Sequence, residues 1–170
     1  MTDEQCRTVV ADAGPLNYLI LIGCTEILPA LFDRVLVPTA VKQELNHPGA
    51  PPKVKEWIRN PPHWIQIASG SVHLAVRGLH AGETATLQVA LERNTSAILM
   101  DDMDGRAAAQ RVGLVPIFTL AILERAAEKG IINLVDAVMK LRQTSFFVSN
   151  EVLDAALERE RQRTQKKKID

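Results

Sequence analysis

Short apolar runs alternate with helical segments along this chain. Five runs have the length of buried strands and stop sharply at turn or acidic residues, namely 8–11, 34–37, 64–67, 97–100 and 115–118. Helical spacing of apolar residues predicts helices over 16–22, 26–32, 39–45, 54–58, 82–93, 106–112, 120–129, 133–142 and 150–162. Because strands separated by helices form βαβ units, the pattern predicts an α/β fold. We expect a three-layer α/β/α sandwich around a five-stranded, mostly parallel sheet.

Three local patterns refine this prediction. Residues 64–67 alternate between apolar and polar, which is typical of a half-buried strand. Pro116 lies in the fifth strand and favours an edge position or an irregular start of the strand, since proline donates no ladder hydrogen bond. In the helix over 82–93, Ala85, Val89 and Leu91 fall near one face and are the expected core contacts.

Composition and charge narrow the class of protein. The 170 residues carry 20 basic and 20 acidic side chains, so a generally basic nucleic-acid binder is excluded and any such contact must be local. Cys6 and Cys24 make neither a disulfide framework nor a zinc quartet. No apolar run approaches the ~20 residues that span a bilayer, and the acidic N-terminus lacks a signal-peptide pattern. We expect a cytoplasmic protein without a membrane segment.

The chain length fits one domain, which we assign to residues 1–158. The last segment, 159–170, is rich in lysine and arginine, and we expect a flexible basic tail there. The helices predicted over 120–129 and 150–162 each offer an apolar stripe. One small domain does not easily bury both, so we also expect a homodimer through helices that flank the sheet.

Acidic residues follow the predicted strands at one edge of the sheet. Asp12 comes directly after the first strand, and Asp101 and Asp102 come after the fourth. Glu44 lies on the helix after the second strand, and Glu83 begins the helix before the fourth. Ligands of parallel sheets bind outside the carboxyl ends of the strands. Taken singly, each acid has an ordinary role as a turn, cap or surface residue, but together they predict a shared site.

Several carboxylates at one edge repel each other unless a cation compensates them. Mg²⁺ and Mn²⁺ prefer such hard oxygen ligands, and they can activate water and clamp a phosphate. Four acids on separate elements therefore favour a metal-dependent hydrolase of phosphodiesters.

The order of these motifs resembles PIN-domain nucleases, and within them the small stand-alone group of VapC-like toxins. The resemblance is carried by Val9-Val10-Ala11-Asp12, Val37-Pro38 with Glu44-Leu45, Gly82-Glu83, Ile98-Leu99-Met100-Asp101-Asp102 and the closing segments 118–123 and 146–153. It implies a divalent-metal-dependent endoribonuclease, frequent homodimers, and control by a cognate antitoxin protein. Asp12, Glu44 and Glu83 match the first three acids of the family. Asp101 suits the fourth, with Asp102 and Asp104 as close alternatives.

One departure from the family pattern is Gly14, because many relatives carry Ser or Thr two residues after the first acid. The lost hydroxyl keeps open an alternative function, a PIN-fold binding or regulatory module with weak or no catalysis. A lesser alternative rests on Asp102-Met103-Asp104-Gly105, which resembles the first motif of haloacid dehalogenase-type phosphatases. Only 65 residues follow that motif, however, and Arg106 stands where those enzymes have a hydroxyl residue.

Overall fold

The computed structural model describes residues 8–71 and 76–166. Within these ranges the strands are β1 Thr8–Ala11, β2 Arg34–Pro38, β3 Ile65–Ala68, β4 Ala97–Leu99 and β5 Val115–Ile117. The helices are α1 Ala13–Ile22, α2 Ile27–Leu31, α3 Thr39–Leu45, α4 Pro52–Arg59, α5 Ala81–Glu92, α6 Met103–Arg111, α7 Thr119–Glu128, α8 Leu134–Leu141 and α9 Asn150–Lys166.

The five strands form one parallel sheet in the order β3-β2-β1-β4-β5. This confirms the predicted α/β class and the five-stranded sheet. β1 is central, and its Val10 is in register with Leu36 of β2 and Ile98 of β4. β5 is an edge strand, as the proline at position 116 predicted.

Both faces of the sheet are covered. Val10, Leu36 and Ile98 face one side, in a core that also contains Leu87 of α5 and Ala108 of α6. Neighbouring residues along a strand point to opposite faces. Val9, Val35 and Leu99 are equally buried on the other side, so helices enclose the central strands in three layers. Strands buried on both faces explain why the sequence shows continuous apolar runs there.

Burial in two elements differs from the simple pattern of apolar and polar positions. In α5, Leu91 is 40% exposed, whereas Glu83, Thr86 and Gln88 are buried. This helix contacts β1, β2 and β4 on one side and α3 on another, so it is enclosed over more of its circumference than a surface helix. In β3, Ile67 is 39% exposed, because this strand lies at the second edge of the sheet.

The chain divides after Thr119 into two compact units. The second unit contains most of α7 together with α8 and α9. α9 begins at Asn150 as predicted but continues to Lys166, four residues beyond the expected end. Arg161 pairs with Glu158 and Arg163 with Glu160, and such pairs one turn apart support a helix. Residues 159–166 of the expected flexible tail are therefore helical; residues 167–170 lie outside the described ranges, and the domain boundary at 158 stays a prediction.

The apolar stripe expected to remain open on α7 is buried in the single chain, and that on α9 is buried at Leu153 and Ala156, whereas Val152 is 40% exposed. Leu120, Ile122 and Leu123 of α7 and Leu153 of α9 are at most 4% exposed. These two stripes therefore give no support to a homodimer. Across the described ranges, moreover, no helix combines the length and apolarity that crossing a bilayer requires.

Candidate active site

Three carboxylates converge where β1 and β2 end. Asp12 directly follows β1, Glu44 lies in the last turn of α3, and Glu83 lies in the first turn of α5. The charges of Glu44 and Glu83 both act on Asp12, and Glu83 also acts on Glu44. These three predicted site residues are thus brought together from elements that are far apart in the sequence.

Asp12 is the most buried of the three acids, with 6% of its surface exposed. Its side chain makes none of the usual capping hydrogen bonds within the first turn of α1. Burial raises the pKa of Asp12 to about 7, and repulsion from Glu44 and Glu83 adds to the increase, whereas hydrogen bonds from the Ala13 backbone N–H and the Thr86 hydroxyl oppose it. Near neutral pH this carboxyl is therefore close to the midpoint of its titration, because its surroundings stabilise the charged form only in part.

Glu44 approaches the start of α5 through a gap that Gly82 leaves open. A Cβ atom at position 82 would lie 2.6 Å from Glu44 Oε2 and 3.5 Å from Asp12 Oδ1. A side chain there would push the Glu44 carboxylate away from Asp12. The pKa of Glu44 is raised, first by partial burial of its carboxyl and then by Glu83, while nearby His80 opposes the increase.

Glu83 has a structural role in addition to its place in the cluster. Its Oε2 accepts a hydrogen bond of 2.9 Å from the backbone N–H of His80, the residue before α5. This interaction satisfies a free donor at the helix start. It also fixes the Glu83 carboxylate beside the other two acids. Glu83 is itself buried, with 8% of its surface exposed.

Asp101 lies at the same edge of the sheet but has its own partners. Thr119 donates twice to it, from the backbone N–H to Oδ1 and from the hydroxyl to Oδ2, each at 2.7 Å. Burial raises the pKa of Asp101, whereas the Thr119 bonds and the Arg106 charge lower it. A Cβ atom at position 14 would lie 3.4 Å from Asp101 Oδ2, so Gly14 lies against this fourth acid.

The two alternatives for the fourth acid lie on α6. Asp102 is the N-cap of that helix, and its Oδ1 accepts a 2.8 Å hydrogen bond from Gly105 N. Asp104 is exposed in the first helical turn. Asp102 thus has the ordinary capping role, and Asp101 is the acid of this segment that faces the start of α1.

Three neighbouring residues were not predicted from the sequence. The Thr86 hydroxyl lies 3.4 Å from Asp12 Oδ1 and 2.9 Å from Gly82 O, and its single hydrogen can serve one of them at a time. Thr119 holds Asp101. Arg106 stacks 5.4 Å from the centre of the Phe118 ring, and its buried Nε has no hydrogen-bond partner among the described residues. Knowledge of which residues are in contact would have been needed to find them, because a single polar residue on a helix gives no periodic signal in the sequence.

A protein-family model described as a PIN domain matches residues 8–162. The chain belongs to the PIN-domain family. This confirms the resemblance inferred from the order of the acidic motifs. The comparison with curated proteins found no match.

PIN domains are generally nucleases, and they usually use divalent metals. The phosphatase alternative loses its support, because in this PIN domain Asp102 caps a helix and Asp104 is exposed. Asp12, Glu44 and Glu83 suit a hard divalent cation in donor type, and their mutual repulsion is the electrostatic condition that such a cation relieves. In the described part of the chain, no three side chains already form a group that could hold a metal ion. The three acids therefore fit a divalent cation by the type of their donor atoms and by their charge. Their side chains are not already arranged as a set of metal ligands.

Proposed function

We propose that this protein is a divalent-metal-dependent endoribonuclease. The observation that carries the proposal is the cluster of Asp12, Glu44 and Glu83, in which burial and mutual repulsion raise the pKa of Asp12 to about 7. No basic side chain forms an ion pair with these three acids among the described contacts, so their mutual repulsion is only partly offset by hydrogen bonds and by His80. The cluster therefore supports a site that binds a cation, in a family whose members generally cut nucleic acid.

Asp12, Glu44 and Glu83 would hold Mg²⁺ or Mn²⁺, which supplies an activated water and neutralises charge on the scissile phosphate when bound. Buried Asp12 fixes the position, and exposed Glu44 closes the site from the solvent side. We retain Asp101 as the fourth acid. Because Thr119 already occupies both of its oxygens, we expect its removal to reduce cleavage less than removal of Asp12.

The direct test is incubation of purified protein with single-stranded and structured RNA, in Mn²⁺ and in chelator. Cleavage should require Mn²⁺ and should fall at least about 100-fold in Glu44→Gln, which removes one charged ligand but keeps the shape. Glu56→Gln is the matched control, since Glu56 is an exposed glutamate on α4 outside the cluster. Cleavage that persists in chelator, or equal loss in both variants, would refute the assignment.

A second candidate is a PIN-fold binding or regulatory module without catalysis. It is favoured by the engagement of Asp101 with Thr119 and by the absence of a preassembled metal group in the described residues. The same experiment separates the two candidates. Such a module would bind RNA, would not cut it under any metal condition, and would show no Mn²⁺-dependent increase in melting temperature.

The toxin role and the antitoxin partner follow from the resemblance to small stand-alone toxins. The antitoxin would cover the site and place a basic side chain among the acids, where their uncompensated charge favours a cation. Induced expression of the wild type should stop cell growth, whereas Asp12→Asn should not. Growth arrest by both proteins would exclude a toxin that acts by cleavage. The cytoplasmic location stays a prediction.

We also propose a homodimer, through a different surface from the two buried stripes. Val135 and Met139 are 47% and 57% exposed and lie four residues apart on α8, hence on one face of that helix. Met139→Lys should shift sedimentation at micromolar concentration from dimer to monomer. Lys140→Met, on the same helix, is the control for a change of charge alone. A wild-type monomer would remove the proposal.

A further inference from the structure

A cavity of about 540 Å³ lies beside the acidic cluster. It is formed where β2 and β3 end, between α3 and the first half of α5. The described residues that line it share one property, the lack of a charged side chain: Pro38, Thr39, Ala40, Gln43, Ala68, Ser69, Gly70, Val76, Leu79, Ala81, Thr84, Ala85 and Gln88. Its volume falls in the range of small-molecule sites, about 300–1,000 Å³.

The cavity is adjacent to the proposed cleavage site along two helices. Gln43 precedes Glu44 on α3, and Ala81 and Thr84 flank Gly82 and Glu83 on α5. A phosphodiester held at the acids therefore has one of its attached nucleosides next to this opening. The acids repel further phosphates, so the group that enters the cavity should be neutral.

The chemistry of the lining suits a nucleobase better than a phosphate. A phosphate site needs cations or converging backbone N–H groups, and among the described lining residues no side chain is cationic, while the backbone N–H before α5 already donates to Glu83. Amides and hydroxyls, as on Gln43, Gln88 and Thr84, are the neutral donors and acceptors that read base edges. Apolar side chains such as Val76 and Leu79 supply contacts for the flat faces of a base.

One wall of the cavity is held by hydrogen bonds within the protein before any ligand binds. Gln88 is 7% exposed, and its Nε2 donates to Glu92 Oε1 at 3.1 Å. The Glu92 carboxylate also accepts from Ser71 N, at 3.0 and 3.1 Å. A Cβ atom at Gly70 would lie 2.5 Å from Gln88 Nε2, so glycine permits this packing. The Gln88 carbonyl oxygen thus belongs to a preorganised wall, which limits the entropy cost of binding.

We propose that this cavity binds one unpaired nucleobase of the RNA strand, next to the bond that is cleaved. The proposal rests on the proposed ribonuclease function and adds to it a subsite for one base. A base in a duplex already uses its Watson–Crick edge and is stacked on both sides, so it cannot enter.

The test measures binding and does not depend on catalysis. Fluorescence anisotropy compares fluorescein-labelled five-nucleotide RNAs, one intact and five with an abasic ribose at each position in turn, in the Asp12→Asn protein. Loss of one particular base should weaken binding about 10-fold. Thr84→Val and Gln43→Leu should remove most of that difference without weakening the corresponding abasic strand. Gln110→Leu, an exposed glutamine on α6 outside the cavity, is the matched control.

Equal affinity for intact and all abasic strands would overturn the proposal. The proposal also fails if Thr84→Val and Gln43→Leu, shown to be folded by circular dichroism, keep the full base-dependent difference. The outcomes for catalysis are separate. Wild-type protein that cuts RNA without base-dependent binding would refute only the cavity, whereas base-dependent binding without cleavage would refute only the ribonuclease.

Discussion

Two acidic regions lie at the same edge of the sheet and differ in how their charge is compensated. Around Asp12, burial raises the pKa of that carboxyl to about 7, repulsion from Glu44 and Glu83 adds to the increase, and hydrogen bonds from Ala13 and Thr86 offset it only in part. Asp101 is also largely buried, but Thr119 donates to both of its oxygens and Arg106 adds a positive charge nearby. Under the proposed function, the first region lowers the stability of the metal-free protein and binds a cation, whereas the second connects the end of β4 to the start of α7.

The largest expected effect is the loss of RNA cleavage when Asp12 is replaced by asparagine. Asp12→Asn keeps the shape of the side chain but removes the charge that a cation requires. We expect RNA cleavage to fall about 1,000-fold, which corresponds to roughly 4 kcal/mol in the activation free energy. Single-turnover cleavage in Mn²⁺ measures this loss, after contaminating ribonuclease is excluded. Asp104→Asn is the matched control; a wild-type rate in Asp12→Asn would mean that the site lies elsewhere.

The same residue predicts an unusual dependence of stability on pH. The folded pKa of Asp12, about 7, exceeds its ordinary value of 3.8, so the native state holds this proton more tightly than the unfolded chain. Stability should therefore fall as pH rises from about 4 to about 7, on the order of 3 kcal/mol for this group without metal. Urea unfolding in chelator should show Asp12→Asn more stable than wild type at pH 8, with a smaller difference at pH 5. Parallel pH curves for both proteins would contradict the prediction.

Metal binding should restore the stability that the wild type loses when Asp12 ionises. A cation that binds only the native state at 100 times its Kd adds about 2.7 kcal/mol to the free energy of unfolding. Mn²⁺ should therefore raise Tm in the wild type and much less in a Glu44→Gln, Glu83→Gln double variant. Equal increases in both proteins would place the metal at another site. Differential scanning calorimetry at pH 8 measures the shift.

Thr119→Val tests the compensated region. It removes the hydroxyl that donates to Asp101 Oδ2 and leaves a largely buried carboxylate short of one partner. We expect a loss of about 1–3 kcal/mol at pH 7, because a buried acceptor without its donor keeps its desolvation cost. The loss should shrink at acidic pH, where Asp101 is protonated in the variant. Thr144→Val removes a hydroxyl from a partly buried threonine in the other unit and serves as the comparison.

The smallest effect is expected at Gly14. A serine Cβ there would lie 3.4 Å from Asp101 Oδ2, close to ordinary contact, and its hydroxyl could donate to that oxygen. Gly14→Ser should change stability by less than about 1 kcal/mol and cleavage by only a few-fold, with Gly14→Ala as control. A large increase in cleavage by serine alone would show that the missing hydroxyl limits the proposed cleavage.

The sequence predicted most of the fold because local patterns were sufficient for it. The runs around Val9 and Ile98 indicated buried strands, and all five strands and the edge position of Pro116 were confirmed. The exposed Leu91 and the buried Thr86 were not predictable in this way. A helix pattern assumes one buried face, whereas α5 packs against the sheet and against α3.

The acids illustrate the same division. Asp12, Asp101 and Asp102 could be assigned to a sheet edge from the sequence alone, since each follows a strand, and Glu44 and Glu83 from their positions on neighbouring helices. Tertiary structure alone decided that Thr119 holds Asp101 and that Gly82 lets Glu44 approach Asp12. Strand order and helix starts are encoded within a few residues, but compensation of a buried charge depends on side chains that the fold brings together from distant positions.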